Sequence, residues 1–454
     1  MIVKVDAPSG RRVPILDWTS LSLNHAALVI EAPMRATTRA DQGGDVSTFY
    51  LLASSSDAVY AWKYTCDDTK IDVERHQVLV RDINRGSPSK FNHQTRSLSF
   101  DPESGYLYVS IGSVGNVDAD SRAARIKRFN IFDDSLSAHT NSSRLRKSKK
   151  HRSNKVFQIQ RRNVEDSDDE GENDRPELPV PEGGFDFVSD GELFADGLRN
   201  SIAQAWDSRG RLWEANNGPD NLAREDLHDY SQKSQGATAK DDPLGTPVPK
   251  DFHNDSPVEE INLLDEQGRF YGYPYCFTSG NVTLSFDDDP IRGVQWAWQK
   301  GGLDGIHDDA WCRNVSNNKP PSAHLPAHTA PIAMTFLKEE DGCGKIKNVS
   351  FPCSLTGNLI VTLHGSWNRD IPQGYSVVMI PFEKGLPKPS QAGQFNSFVT
   401  LLKARDLQNK CTNANAGTCF RPTGVAVSKE RGTLLVASDT TGELVEILFS
   451  NWTG

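Results

Sequence analysis

Several short polar clusters in this chain hold the residue types from which active sites are built. FNHQTRSL sets His93 near Arg96, DGLRN puts Arg199 beside Asn200, and NNGPDN surrounds Gly218 with amide and carboxylate oxygens. HGSWNRDIPQGY contributes His364, Trp367 and Arg369, and CFRPTGVAV contributes Arg421. Each has an ordinary structural explanation when taken alone: a hydrogen-bonded His, a buried ion pair, a capped turn, a core Trp. Taken together they suit a planar, polyanionic ligand. Arginines would neutralise carboxylates, a Trp and a His would flank a ring, and the carbonyl, Asp and Asn oxygens of the Gly218-Pro219-Asp220 turn match the needs of a hard cation such as Ca²⁺. No GxGxxG, Walker, HExxH or GxSxG motif stands in a convincing context, which disfavours nicotinamide dehydrogenases and serine hydrolases.

Each cluster lies at the end of a strand pattern. SLSFDPESGYLYVSIG (97–112), IAQAWDSRGRLWEANNG (202–218) and VAVSKERGTLLVASD (425–439) each join two alternating apolar strands through a polar, Gly-containing turn. FYLLASSSDAVYAWKY (49–64) and CSLTGNLIVTLHGSW (353–367) are looser versions. Apolar periodicity of the helical kind is scarce, so the expected class is all-β. Recurring strand-turn-strand units cannot bury both faces alone, and stacking them radially as a β-propeller solves this. A large β-sandwich is the alternative. In a propeller, strand-end loops from distant parts of the chain converge at one mouth, and both termini of a hairpin reach the same rim.

The chain has 454 residues and a net charge of −10. That acidity argues against a nucleic-acid partner, and the lack of a long apolar run argues against a membrane span. A single propeller domain over residues 1–454 and a monomer are expected. Residues 142–184 break the pattern: RLRKSKKHR is followed by EDSDDEGEND, with too few apolar residues to offset the entropy of ordering. They read as a disordered surface insertion.

The N-terminus MIVKVDAPSGRRVPILDW has no apolar leader segment. Other signals favour secretion. Asn141, Asn254, Asn281, Asn314, Asn348 and Asn451 each begin an N-x-Ser/Thr sequon, and there are 7 cysteines. Cys343 with Cys353, Cys411 with Cys419, and Cys276 with Cys312 are spaced to close loops, leaving Cys66 over; buried free thiols are the alternative.

The blocks NHQTRSLSFDPESGYLYVSIGS, GNVDADSRAARIKRF, DGELFADGLRN, HNDSPVEEINLL, YGYPYCF, LPAHTAPIAMTF, HGSWNRDIPQGYSVVMIPF and RPTGVAV resemble the pyrroloquinoline-quinone (PQQ)-dependent sugar dehydrogenases. They are most similar to the fungal pyranose dehydrogenase branch, also described as glucose/sorbosone or L-sorbosone dehydrogenase-like. The resemblance runs from about Asn92 to about Ile447, apart from the charged insertion, and residues 1–90 match weakly.

The resemblance implies a six-bladed β-propeller with PQQ over its axis and Ca²⁺ between the quinone and the protein. His93 would be the general base for the anomeric hydroxyl of a monosaccharide, with hydride passing to the quinone. Arg199 and Asn200 would face the reactive quinone edge. The carbonyls of Gly218 and Pro219 would reach Ca²⁺, with Asp220 and Asn221 as ligands or supports. Arg96, His364, Trp367, Arg369 and Arg421 would bind or stack on the cofactor, and Glu260 and Asn262 would support a loop or a second metal. Electrons would leave to a separate acceptor, such as a haem or copper redox protein. The chain departs from the pattern at Ser113, where bacterial glucose-oxidising relatives carry an acidic residue, and it shows no sign of a cytochrome or cellulose-binding module. The rival readings are a Ca²⁺-dependent lactonase-type hydrolase and a non-catalytic propeller that binds glycans or proteins.

Overall fold

Alternating apolar strands joined by Gly-containing turns form antiparallel sheets here, and helices are short, as in Asp309–Arg313 and Leu407–Lys410. The computed structural model describes residues 2–6, 11–16, 21–32, 48–65, 67–84, 93–118, 123–133, 178–222, 224, 226–229, 254–285, 288–389, 397–411 and 418–450. They fall into two units. One comprises Met1–Ser89, Gln94–Val109 and Lys127–Glu192; the other comprises Lys90–His93, Ser110–Ile126 and Leu193–Gly454.

In the first unit Ala27–Glu31, Phe49–Ser54, Val59–Tyr64 and Gln77–Arg81 pair antiparallel in chain order. Leu51, Ala53 and Trp62 pack with Ile15, Leu16, Leu23 and Ile71. The hairpin read in SLSFDPESGYLYVSIG is present, paired from Leu98↔Val109 to Asp101↔Tyr106.

Of the charged insertion, residues 142–177 lie outside the described residues. Residues 178–184 depart from the expectation of disorder. Gln77 and Leu178 exchange two hydrogen bonds of 2.9 Å, and Leu178 and Val180 are buried. The charge run ends before these residues, and Leu-Pro-Val offers apolar surface to bury.

The second unit holds three antiparallel meanders. Ser201–Trp206, Leu212–Asn216, Glu259–Leu264 and Ala323–Leu325 form one; Pro331–Phe336, Leu359–Leu363, Ser376–Ile380 and Val399–Lys403 form the next. Pro422–Ser428, Thr433–Ser438 and Leu444–Ile447 form the third. Their first strands lie side by side in succession, the order of propeller blades rather than of sandwich layers. Trp213, Ile261, Leu325, Met334, Phe336 and Val361 fill the space between the first two sheets. Phe351, Ile360, Val377, Leu434 and Val436 fill the space between the next two. Each such side chain contributes about 1.5–3 kcal/mol on burial.

Each first strand begins with a register irregularity, at Ser201/Ala203, Pro331/Ala333 and Pro422/Gly424. An extra residue there kinks the strand and re-aims what precedes it. Because Ser201 pairs with Asn216, Pro331 with Leu363 and Pro422 with Ser438, the flanking segments meet at one end of each sheet. Cys276–Cys312, Cys343–Cys353 and Cys411–Cys419 are all bonded, as their spacing suggested. Cys66 lies outside the described residues.

Candidate functional site

A cavity of about 500 Å³ opens where those segments meet, all within the second unit. His93, Asn116, Arg199, Asn200, Asn217, Gly218, Asp220, Glu259, His328, His364 and Trp367 are among its lining residues.

His93 is half-buried, and its Nδ1 lies 2.9 Å from the Ser113 carbonyl oxygen. Donating from Nδ1 leaves the lone pair on Nε2, the tautomer a general base requires. Gly112 makes this close approach possible. A Cβ there would sit 2.6 Å from His93 Cβ and 2.9 Å from Asn200 Oδ1. Ser113, the departure from the bacterial pattern, is buried beneath the imidazole, and its hydroxyl donates to the Gly115 carbonyl at 2.6 Å.

Ser113 N–H in turn donates to the Arg199 carbonyl at 2.8 Å. The Arg199 guanidinium is buried and braces the 216–220 turn. Its donors reach Asn116 O at 3.0 Å, Asn116 Oδ1 at 2.9 Å, Asn217 O at 3.4 Å, Gly218 O at 2.9 Å and Asp220 Oδ2 at 3.3 Å. Burial lowers its pKa, opposed chiefly by the Asp220 charge.

Asp220 is the electrostatic centre. Asn368 Nδ2 donates to Oδ1 at 2.7 Å, and His328 Nδ1 stands 3.4 Å from the same oxygen. Burial alone would raise its pKa, but the His328 hydrogen bond, the Arg199 charge and Asn368 hold it below the ordinary carboxylate value. Asp220 is therefore ionised. Glu259 behaves oppositely: burial pushes it up to about 7, although the His328 charge and the N–H groups of Gly218 and Ala330 pull it down. Asn221, His328 and Ala330 hold positive φ values of 58°, 58° and 53°, so backbone strain gathers around the cavity.

His364 is fixed from both sides. Arg421 donates to Nδ1 at 3.0 Å, and Nε2 faces the Asp439 carboxylate at 3.1 Å. Burial would raise Asp439, but His364, Thr440 and Arg421 keep its pKa low.

The cavity thus brings together His93, Arg199, Asn200, Gly218, Asp220, Asn221, His364 and Trp367 from the sequence-derived set. The other members of that set are placed elsewhere. Arg96 belongs to the first unit and is fully buried, its donors bonded to Ser56 O at 2.9 Å, Thr95 O at 2.7 Å and Asn84 Oδ1. These partners all belong to its own unit, and Arg96 is not among the described lining residues of the cavity. Arg421 stands behind His364. Arg369 is buried beside the loop, donating to Asp255 Oδ1 at 3.1 Å and Ile371 O at 3.2 Å. Pro219 lines a small void behind the turn with Tyr273 and Thr278. Glu260 and Asn262 build a buried polar ladder: Glu260 accepts from Thr278 Oγ1 at 2.6 Å, and Asn262 donates to Glu214 at 2.7 Å.

Sequence reasoning missed Asn116, Asn217, Glu259 and His328 as lining residues. His328 precedes the strand Pro331–Phe336 much as Arg199 precedes Ser201–Trp206, and that parallel was the available signal.

Two atoms bear on ligands. Asn217 Oδ1 and Arg369 Nη1 are buried and lack a hydrogen-bond partner. An unsatisfied oxygen in a turn with the ionised Asp220 and the Gly218 carbonyl fits a hard cation, and a spare guanidinium donor fits an anion. Among the described residues no cluster of three or more His, Cys, Asp or Glu residues could hold a metal, so a cation here would rely on carbonyl and amide oxygens beside the one carboxylate of Asp220. Among them, too, no helix is long and apolar enough to cross a membrane.

A family model described as TrAA12-like matches residues 23–144 and 175–448. It takes in residues 23–90 and passes over the middle of the charged segment. The pyrroloquinoline quinone-dependent pyranose dehydrogenase of Coprinopsis cinerea is 28% identical over 424 residues, covering 90% of this chain and 46% of that protein. The chain thus spans about half the length of the curated relatives it matches. The holo PQQ domain of the Coprinopsis cinerea enzyme superposes with a TM-score of 0.65 at 24% identity, covering 98% of this chain and 87% of that one. The calcium structure of the Trichoderma reesei carbohydrate-active enzyme of family AA12 gives 0.61 at 23% identity, covering 99% and 92%. These structural likenesses establish the fold.

Proposed function

Because this chain belongs to the TrAA12-like family, we propose that it is a PQQ- and Ca²⁺-dependent dehydrogenase that oxidises a sugar at its anomeric carbon. The observation that carries this reading is the continuous network linking His93, Ser113, Arg199, the 217–220 turn, Asp220 and His328 around one cavity. A six-bladed arrangement, secretion and delivery of electrons to an external redox partner belong to the same reading. The three disulfides favour an oxidising compartment.

Each lining group has a role. Asn217 Oδ1, the Asp220 carboxylate and the carbonyls of Gly218 and Pro219 would hold Ca²⁺, and Arg199 keeps their turn in shape. The unpartnered Nη1 of Arg369, behind the loop, would offer a donor to an anionic group of the cofactor, and His328 and His364 stand in the cavity wall. When bound, PQQ would supply a two-electron, hydride-accepting centre. His93 takes the proton of the anomeric hydroxyl at Nε2, so the sugar loses a hydride and a proton and leaves as the lactone. A positioned base of this kind contributes about 10²- to 10⁴-fold. The Ser113 carbonyl keeps the proton of the resting imidazole on Nδ1, and buried Ser113 and Gly112 fix the ring.

The test is reconstitution with PQQ and Ca²⁺ while monosaccharides are added and the absorption spectrum is followed. Quinone bleaching by one sugar, lost in His93→Ala although PQQ still binds, is the expected result. Failure to bind PQQ would overturn the proposal and favour a hydrolase or a binding protein.

A further inference from the structure

The 217–220 turn does not support itself. Among the described residues, none of its main-chain hydrogen bonds closes within the turn. Asn217 N–H donates to Asn200 O at 3.2 Å, and Gly218 N–H donates to Glu259 Oε2 at 2.8 Å. The carbonyls of Asn217 and Gly218 accept from Arg199, and Pro219 has no N–H to give. At Asp220 both main-chain groups are held by one side chain from far along the sequence. Asp220 N–H donates to Asn116 Oδ1 at 2.7 Å, and Asn116 Nδ2 donates back to Asp220 O at 2.6 Å.

This exchange of two bonds is that of a hydrogen-bonded strand pair, with a side-chain amide in place of a peptide. Its polarity is fixed. Asn116 Oδ1 also accepts Arg199 Nη2 at 2.9 Å, so two donors converge on that oxygen. An amide turned the other way would set N–H against N–H and oxygen against oxygen. Asn116 is anchored in turn. Its carbonyl accepts Arg199 Nε at 3.0 Å and, like that of Gly115, the Tyr273 hydroxyl at 3.3 Å. Asp118 N–H donates to the Tyr273 hydroxyl oxygen at 2.7 Å. At the start of the same loop the Ser113 carbonyl fixes the His93 ring. One short segment, 113–118, therefore touches both the base and the turn.

We propose that Asn116 is a positioning residue for the cation site: its side-chain amide holds the Asp220 main chain, and with it the carboxylate, in place, and ties the turn to the loop beneath His93. The inference rests on the dehydrogenase reading above, in which this turn holds Ca²⁺. Asn116 is not itself a ligand. Its Oδ1 already accepts two hydrogen bonds and has no lone pair left for an ion, unlike the unpartnered Oδ1 of Asn217. What it fixes is where the other oxygens stand, and groups that orient ligands in this way govern metal affinity nearly as much as the ligands do.

The experiment titrates Ca²⁺ by calorimetry into the full chain with PQQ present, comparing the unsubstituted protein, Asn116→Ala and Asn116→Asp. Backbone hydrogen exchange is followed with and without the ion. Asn116→Ala should weaken Ca²⁺ binding about ten- to hundredfold. Asn116→Asp keeps the size of the side chain and adds a negative charge, yet sets an oxygen against Asp220 O. It too should bind more weakly, whereas charge alone would tighten binding; if Asn116→Ala does not fold, this variant decides. In the unsubstituted protein Ca²⁺ should slow exchange at both 217–221 and 113–118. In Asn116→Ala saturating Ca²⁺ should still protect 217–221 but lose most of the added protection at 113–118, a separation that general loosening of the fold does not produce. Unchanged affinity in Asn116→Ala, tighter binding by Asn116→Asp, or undiminished protection at 113–118 overturns the inference. An unsubstituted chain that binds no Ca²⁺ overturns instead the reading of the turn as a cation site.

Discussion

Glu259 offers a sharp test of the site's electrostatics. Its carboxylate accepts the N–H of Gly218 at 2.8 Å and that of Ala330 at 3.1 Å, so it joins two segments of the cavity wall. Burial raises its pKa from 4.5 to about 7 in the folded chain. Between those values the native state holds a proton that the unfolded chain has released, so stability must fall as pH rises through this window. The stability that the protonated form contributes is fully present below pH 4.5 and is lost on passing about pH 7. A gap of about 2.5 pH units at 1.36 kcal/mol each amounts to roughly 3 kcal/mol. In a chain of this length that is a thermal shift of a few degrees. Glu259→Gln cannot titrate. It loses one of the two hydrogen bonds at every pH, a constant cost of about 1 kcal/mol. Gln is the neutral counterpart of the protonated acid, so melting midpoints measured from pH 4.5 to 8 should lie close together at low pH, and at high pH the unsubstituted protein should melt below Glu259→Gln. Glu214, with a pKa of about 8, and Glu260, also raised by burial, titrate in both proteins and cancel. Parallel curves would refute the assignment of Glu259 as a buried, proton-holding residue.

Two further predictions concern the turn and Arg96. Asn217→Ala, which deletes the unsatisfied oxygen, should weaken Ca²⁺ binding about tenfold in calorimetric titration, and Asp220→Asn should weaken it more by removing the charge; unchanged affinity for both would move the cation elsewhere. Arg96→Met should lower the melting temperature, because it leaves Asn84 Oδ1 and the carbonyls of Ser56 and Thr95 short of a donor at a cost of about 1–3 kcal/mol. PQQ affinity of the folded Arg96→Met protein should match that of the unsubstituted chain, and a large loss would return Arg96 to the cofactor site.

Much of the architecture was legible locally. A strand with alternating polarity, a Gly-containing turn and a second strand make a hairpin wherever they occur, and a hairpin brings its ends together whatever surrounds it. That logic placed Asn200 and Gly218 at the same end of the Ser201–Trp206 and Leu212–Asn216 pair. Cysteine spacings of 8, 10 and 36 residues likewise suggested the pairing, and the structure chose it over free thiols. The last part of the charged segment was misjudged because composition averages over a window, whereas burial of Leu178 and Val180 depends on a partner near residue 77.

The amino-acid sequence by itself determined the strands, the turns and the stock of polar groups at the strand ends, and left the cysteines open between three pairs and buried free thiols. Which of those groups share a cavity was decided only by the tertiary structure. Glu259 and Glu260 are neighbours, yet one supports the cavity wall through Gly218 and the other faces Thr278 in the polar ladder. His93 and Arg96 are three residues apart, yet only His93 lines the cavity. The reason is physical. Successive side chains on an extended backbone point to opposite sides, so a register irregularity or a bend re-aims them. The groups that satisfy each one come from far along the chain: Arg199 needs Asn116, 83 residues away, and Asp220 needs Asn368, 148 residues away.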